Sequence, residues 1–239
     1  MRIEVVSHCL ATRFPHYAGA LCYHLSSIYL AHPTSCEVLA TICCLAEDER
    51  TNVVLTHFGQ FMPLRIIFLR DEHELGRRCI GRNVAAMGSK ADVVWFSDVD
   101  QCFLDGIFDR LAEMGWPPLS SMIYPIQIMI HKDHATGDRA TQRIADRPRI
   151  VEVRPVDFVP KRYNRAIGGV QIIQGDFARQ WGYLNGDEEW QKPAPIPFGD
   201  FRDDVMFRRR CSELGQIIGV DLPGLYRIRH STTSYQSKP

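Results

Sequence analysis

Nowhere in this sequence does an apolar run approach the ~18 residues that a bilayer-crossing helix needs. Met1-Arg-Ile-Glu-Val-Val-Ser-His8 lacks the apolar core of a secretory signal. These two absences predict a cytosolic chain. Net charge is missing as well: 28 Lys and Arg balance 28 Asp and Glu, so no overall field draws the chain to nucleic acid or to an anionic membrane. The eight cysteines include no Cys-x-x-Cys pair and several sit in apolar segments, which predicts reduced core thiols. No repeat or low-complexity stretch interrupts the chain.

What is present suits a single α/β domain over residues 1–239, since 45% hydrophobic residues in 239 suffice for a sizeable core. The first half alternates strand and helix. Apolar runs at Ile3–Val6, Val38–Leu45, Leu64–Leu69 and 92–97 read as buried strands. Helices are predicted between them at Tyr17–Ala31, where Leu21, Leu25 and Ile28 form a stripe, at Val53–Phe61 and at Arg78–Met87. This order predicts a Rossmann-like, mostly parallel sheet with right-handed crossovers and helices on both faces. After residue 103 a helix at 104–114 leads into longer strands at Ser121–Ile130 and Ile150–Val159, joined by a polar segment. That half should supply mixed or antiparallel strands. Pro193, Pro195 and Pro197 mark an extended connection.

Two acidic sites carry the chemistry. In Ala91-Asp-Val-Val-Trp-Phe-Ser-Asp-Val-Asp100 an apolar strand runs into carboxylates at i and i+2, at the strand end where open α/β sheets place ligands. In an extended segment both carboxylates point the same way. Their repulsion calls for a cation or donors, and so for a metal and a phosphorylated substrate. The competing reading is a turn whose Asp caps the next helix. The second site, Asp203-Asp204, opens a helix whose face is marked by Phe207, Cys211 and Leu214. Acidic residues there complement the macrodipole, and a carboxylate kept ionised in this way can also serve as a general base. Between Lys132 and Arg165 nine Lys or Arg stand against five Asp or Glu, either a solvated surface or an anion-facing one. Gly168-Gly169, before the apolar run Val170–Ile173, allows close backbone or ligand approach.

Four stretches in this order carry a resemblance: Gly81-Arg82-Asn83, Ala91–Asp100, Gly168-Gly169 and Asp203-Asp204-Val-Met-Phe-Arg-Arg-Arg210. Over about residues 1–231 the chain resembles the GT-A glycosyltransferases, most closely the inverting family 2 and galactosyltransferase-like members. The resemblance implies a hexosyltransferase-type, metal-dependent inverting enzyme that uses a nucleotide-sugar donor, with a UDP-sugar expected, and a hydroxyl acceptor. It implies a nucleotide-sugar half at 1–103 and an acceptor half at 104–239. Asp204 matches the family's catalytic base, Asp203 stands where the family has Glu, and Arg210 matches the following Arg. By the same analogy Asp98 contacts ribose or metal-bound water, Asp100 ligates Mn²⁺ or Mg²⁺, and His230 completes the metal shell together with Asp98. His131 and His134 are the rival ligand pair. Nucleotide contacts are expected at Ser7, Asp48, Arg78, Arg82 and Asp98, and acceptor contacts at Gly168, Gly169 and Asp203.

Each of the weaker candidates has a structural reading beside it. Asp48 either accepts from a base or caps the helix before Thr51. Arg78 and Arg82 either reach a diphosphate or pair with Glu72 and Glu74. Trp181 and Trp190 either stack on a sugar or pack in the core. The acceptor class stays open among glycan, lipid carrier, protein and modified DNA, the basic 132–165 segment favouring an anionic one. A non-catalytic nucleotide-binding module is the competing function.

Overall fold

The structure, a computed structural model, describes residues 1–195 and 202–231. Pro197 of the proline-rich connection, and Asp200 just before the second acidic site, lie outside the described residues.

The first half alternates as expected. Strand β1 (Arg2–His8) leads to α1 (His16–Leu30), β2 (Glu37–Leu45), α2 (Glu49–Phe58) and β3 (Leu64–Leu69). The short α3 (Glu72–Gly76) and α4 (Arg78–Met87) then precede β4 (Val93–Ser97). Strands β3, β2, β1 and β4 lie side by side, all parallel. Alternate residues of each strand feed opposite cores, because successive side chains point to opposite faces. Ile3, Val5, Val93 and Trp95 join α1 and α2 on one side. Val6, Val94 and Phe96 join α4 on the other. Helix α2 begins at Glu49 rather than at residue 53, because Asp48 caps it by accepting from the Thr51 amide.

The second half departs further from expectation. After β5 (Gln101–Phe103) comes α5 (Ile107–Glu113), which starts only after Gly106 in the left-handed region (φ +67°). The predicted strand over 121–130 is two strands, β6 (Ser120–Pro125) and β7 (Gln127–His131), in different sheets. Pro125 offers no amide to continue a ladder. Ile126 at the break donates to Val220 on one side and accepts from Tyr163 on the other. The polar segment holds a helix, α6 (His134–Gln142), capped by Asp133 through the Thr136 amide. No strand fills 150–159. Pro155 opens a 3-10 turn there, and β8 (Phe158–Arg162) tolerates Pro160 because it is an edge strand.

The chain continues through β9 (Val170–Gln174), α7 (Gly175–Trp181), α8 (Asp203–Leu214), β10 (Gln216–Val220) and β11 (Leu225–Arg227). The central sheet has seven strands in the order β10-β6-β9-β4-β1-β2-β3, β9 alone running antiparallel to its neighbours. A second, mixed sheet has the order β5-β11-β7-β8. Helices α1, α2 and α5 cover one face of the central sheet; α4, α7 and α8 cover the other. No helix among the described residues is long and apolar enough to cross a membrane.

Candidate active site

The site forms where β4 ends. Trp95 and Phe96 are fully buried and fix the strand, and the chain then turns sharply as the Gln101 amide donates to the Asp98 carbonyl (3.1 Å). Asp98 and Asp100 therefore occupy a turn, not the extended segment expected from the sequence. Nor are they unpaired. Arg78 and Arg82, one helical turn apart on α4, both reach Asp98, with Nη1 and Nη2 at 3.0 and 3.5 Å from Oδ1. Asp100 is almost completely buried and accepts from Arg227 Nε at 2.9 Å. Arginines thus supply the compensation that the sequence assigned to a metal. Burial alone would raise the Asp98 pKa, but Arg78, Arg82 and Arg227 outweigh it and hold the carboxyl below its ordinary value.

Arg82 has no exposed surface. Burying its charge is costly, and the Tyr183 hydroxyl (2.9 Å), Asp98 and the faces of Tyr183 and Phe96 at 5.2 and 5.8 Å offset that cost. The alternative pairing of these arginines with Glu72 and Glu74 does not form: Glu72 pairs with Arg13 and Glu74 with Arg70.

Asp98 and Asp100 line a cavity of about 270 Å³ together with His8, Tyr17, Arg78, Arg227 and His230. His8 stands at the carboxyl end of β1, the adjacent parallel strand, and among the described residues neither of its ring nitrogens has a partner. Burial first, then Arg82 and Arg78, push its pKa well below the usual imidazole value. The ring in the cavity wall is thereby kept neutral, with both nitrogens buried and Nε2 turned towards Gly81 of α4. Burial, together with Asp100 and Asp98, pushes the Tyr17 phenol up to about 12. His230 Nε2 stands 3.8 Å from Asp100 Oδ2. Its ring packs 4.7 Å from that of His16, whose pKa falls to about 4 through burial and the neighbouring His230.

The second acidic site closes on the first. Gly168 and Gly169 lie between them: a Cβ on Gly168 would sit 3.2 Å from Asp204 Cβ, and one on Gly169 would sit 2.7 Å from Asp98 Oδ2 and 2.4 Å from Gln101 Nε2. Two consecutive glycines are therefore the spacer that lets the two acidic loops approach. Asp203 is buried, with Oδ1 accepting from the Asp204 amide (3.0 Å) and Oδ2 without a partner among the described residues. Asp204 is half-exposed at the first turn of α8, and its carbonyl accepts from Gln171 Nε2 (3.0 Å). Burial works against the Arg78 charge, yet Asp98, Asp203 and Asp204 together keep its pKa above the ordinary guanidinium value. One arginine thus lies in the field of both acidic loops.

Other sequence candidates lie elsewhere. Ser7 is buried and bonded to His24 Nε2 (3.1 Å). The Asp48 carboxylate is fully engaged in structure, accepting from the Ala11, Thr12 and Thr51 amides and from the Thr12 and Thr51 hydroxyls. This is the capping alternative, extended to hold the β1–α1 loop. Arg210, one candidate for the site, lays its guanidinium 5.7 Å from the Trp181 ring centre instead; Trp190 sits under Arg77 at 5.2 Å. His131 stacks on Phe158 at 4.1 Å, whereas His134 bonds the His230 carbonyl (2.8 Å) and Arg229, so the rival histidine pair does not converge. Sequence reasoning missed His8, Tyr17 and Arg227. The strand-end rule applied to β4 also marks His8 on β1; Arg227 stood unremarked three residues before His230.

Among the described residues no group of three or more His, Cys, Asp or Glu side chains is arranged to hold a metal ion. The donors that converge still fit a divalent cation that arrives with its own ligands. Asp100 Oδ1 is buried with no partner, and His230 stands beside the same carboxylate. A cation of the Mg²⁺ or Mn²⁺ type takes one or two side chains and completes its shell from phosphate oxygens and water.

No protein-family profile matches the chain, and no curated protein matches it in sequence. Solved structures do match in fold. S. aureus TarS (residues 1–349) bound to UDP-GlcNAc superposes with a TM-score of 0.60 at 12% identity, over 97% of this chain and 59% of that one. The Pyrobaculum calidifontis mannosyltransferase PcManGT, in complex with GDP-Man and Mn²⁺, gives a TM-score of 0.57 at 11% identity, over 95% and 56%. The chain thus spans under two thirds of the length of either of these two structures. With its mostly parallel central sheet and mixed second sheet, the chain has the GT-A fold of nucleotide-sugar glycosyltransferases.

Proposed function

We propose that the chain is a metal-dependent inverting glycosyltransferase that moves a sugar from a nucleotide-sugar, a UDP-sugar in the first instance, to a hydroxyl acceptor. The observation that carries this reading is the approach of two acidic loops across Gly168-Gly169, with Arg78 in the field of both. Residues 1–103 supply the donor half and residues 104–239 the acceptor half.

Arg78 is half-exposed in the cavity wall and meets the donor diphosphate, stabilising the charge that develops as the glycosidic bond breaks. The His8 ring, uncharged, forms part of the wall against which the donor packs. Asp204 takes the proton from the acceptor hydroxyl as that oxygen bonds to the anomeric carbon and the bonding pair leaves with the diphosphate. Asp203 holds the Asp204 amide and so fixes the first turn of α8. Asp100 and His230 hold the cation, which when bound adds positive charge at the leaving diphosphate. TarS was solved with UDP-GlcNAc and PcManGT with GDP-Man and Mn²⁺; both are consistent with a donor of this class.

Thermal unfolding against UDP, GDP and their sugar conjugates, with and without Mn²⁺, tests the reading. Stabilisation of about 2.7 kcal/mol is expected at ligand a hundredfold above Kd. No metal-dependent shift with any nucleoside diphosphate sinks the donor assignment. Product with the donor's own anomeric configuration sinks the inverting mechanism. Nucleotide binding with neither transfer nor donor hydrolysis across an acceptor panel leaves the non-catalytic module.

A further inference from the structure

A cavity of about 660 Å³ lies outside the candidate active site and is walled by arginines. Arg139 and Arg143 come from α6 and the residue that caps it; Arg149 and Arg154 come from the coil that follows. Tyr23 of α1, the stacked pair His131 and Phe158, and two carboxylates, Glu152 and Asp157, also line it, so the four guanidiniums outnumber the acids two to one. Helix α6 is pressed onto α1 where Gly19 meets the Thr141 carbonyl; a Cβ on Gly19 would lie 1.9 Å from that oxygen. The walls are therefore fixed.

The charges in this cleft are not consumed by the fold. Arg154 pairs with Asp157 at 2.9 Å, while Arg139 donates to the Thr136 hydroxyl at 3.3 Å. Among the described residues, no carboxylate lies within 4.0 Å of Arg139, Arg143 or Arg149. The dipole of α6 favours Arg143 at its carboxyl end. It does not account for Arg149 and Arg154, which approach from a coil. Arg139 and Arg143, four residues apart, repel each other. His131, only 4% exposed, forms part of the same wall, its Nδ1 turned towards Gly137 of α6. Four guanidiniums spread over two facing walls are more than one phosphate engages, since each favours its own bidentate pair of oxygens.

This cleft is distinct from the donor cavity but adjacent to it. Arg227 and His230 line the donor cavity, and Ile228 between them lines the cleft. Helix α1 offers Tyr17 to the first and Tyr23 to the second, about 9 Å apart along its axis.

We infer that the arginine-walled cleft between α6, the 149–154 coil and α1 binds successive phosphates of a phosphodiester-linked chain and holds that chain as the acceptor beside the transfer site. This rests on the glycosyltransferase reading above. A nucleic-acid strand is such a chain; inorganic polyphosphate, whose phosphates are joined by anhydride bonds and carry no acceptor hydroxyl, serves only as a competitor that reports recognition of phosphate.

The test is fluorescence anisotropy with a labelled single-stranded oligodeoxynucleotide, competed with inorganic polyphosphate, over about 50 to 200 mM salt. Wild type should bind with a log–log salt slope of about −3, as expected for four phosphate contacts at roughly 0.7 each. Arg143→Ala combined with Arg149→Ala should weaken binding about tenfold or more and reduce the slope by about 1.4. Arg147→Ala, an exposed position of the same segment outside the cavity, should leave both unchanged. Displacement of the oligonucleotide by polyphosphate shows recognition of phosphate; failure to displace it means the bases are read and overturns the inference. Equal binding by the double variant, or an equal loss in Arg147→Ala, also overturns it. The UDP and Mn²⁺ stabilisation measured on the same proteins separates the two readings. A nucleotide shift without chain binding sinks the cleft alone; chain binding that needs Arg143 and Arg149, without a nucleotide shift in the wild type, sinks the transferase reading alone.

Discussion

The two acidic loops differ in what neutralises them. Asp98 and Asp100 are clasped by Arg78, Arg82 and Arg227 at 3.0, 3.5 and 2.9 Å. Among the described residues, neither Asp203 nor Asp204 has a cationic nitrogen within 4.0 Å. The first loop sits in a cage of fixed charge, which suits holding a ligand whose own charges must be matched. The second opens α8, beside the positive end of the helix dipole, and among the described residues the Asp204 side chain is engaged by no hydrogen bond or ion pair while Asp203 Oδ1 accepts the Asp204 amide. A carboxylate whose oxygens are left free can take a proton; one gripped by guanidiniums is a poor base, because its protonated form would lose those pairs.

The sharpest way to break this contrast is Asp204→Asn. Asn keeps size and hydrogen bonding but cannot accept the proton, so transfer should fall by roughly 10²–10⁴-fold while donor affinity changes little. Asp100→Asn should behave differently, weakening metal-dependent nucleotide binding itself. Steady-state kinetics beside nucleotide titrations separate the two. If Asp204→Asn keeps near-normal turnover and Asp203→Asn is inactive, the base is the buried neighbour and the contrast is drawn at the wrong residue.

Acid should discriminate between the loops as well. His24 lies buried beneath the first, with Nδ1 at 2.7 Å from the Gln101 carbonyl and Nε2 at 3.1 Å from the Ser7 hydroxyl. Since a carbonyl only accepts, Nδ1 carries the proton and Nε2 accepts from Ser7. Burial lowers this imidazole from 6.5 to about 4, against the raising effect of the Gln101 bond. The unfolded chain therefore binds a proton between about pH 6.5 and pH 4 that the folded chain refuses. Stability from this group is complete above about pH 6.5 and is lost as pH falls towards 4, by up to about 3 kcal/mol. Urea unfolding across that range should show the loss, and His24→Gln should flatten it. An unchanged acid limb in the variant would assign the loss to other groups, such as His8.

How much of this was legible in the sequence follows from contact range. Leu64–Leu69 and Arg78–Met87 fall on their predicted bounds; β3 is an edge strand with Ile66 and Phe68 exposed, yet its apolar run between polar stops was still legible. The run 120–131 misled because it feeds two sheets, with Pro125 the only local mark of the change. Helix α6 was hidden in a polar sequence whose cap, Asp133, was the usable signal. Within the site, Asp98 and Asp100 could be singled out by their spacing at a strand end and Asp203 and Asp204 by their place at a helix start, but their roles came from the resemblance. Arg227 could not, since its partner Asp100 is 127 positions away.

The spacer between the loops gives a smaller, cleaner perturbation. Gly169→Ala would bring a methyl within 2.4 Å of Gln101 Nε2 and 2.7 Å of Asp98 Oδ2, so the Asp98 carboxylate and the Gln101 amide must give way. A misplacement of about 1 Å in a catalytic constellation costs on the order of 10²-fold. The expectation is therefore a loss of roughly ten- to a hundredfold in kcat with the fold retained. Gly168→Ala, whose nearest contact is 3.2 Å from Asp204 Cβ, should cost less. Equal activity in both variants would mean that the distance between the loops does not set the rate.

The smallest effect expected is also the one that tests the cage itself. Arg227 Nε holds Asp100 Oδ2 at 2.9 Å and competes there with any cation for the same carboxylate. Its side chain is 35% exposed, so solvent screens the pair and its removal is tolerable. In Arg227→Met the stem still packs while the charge and the donors are gone. The midpoint of Mn²⁺ in the nucleotide-dependent thermal shift should then fall a few-fold, because Asp100 is released to the ion. Nucleotide affinity without metal should weaken by a similar factor, since one fixed positive charge near the diphosphate has been lost. Opposite signs in these two titrations are the signature of an arginine that substitutes for a metal. Should both weaken together, Arg227 supports Asp100 in place, and the first loop is caged for structure.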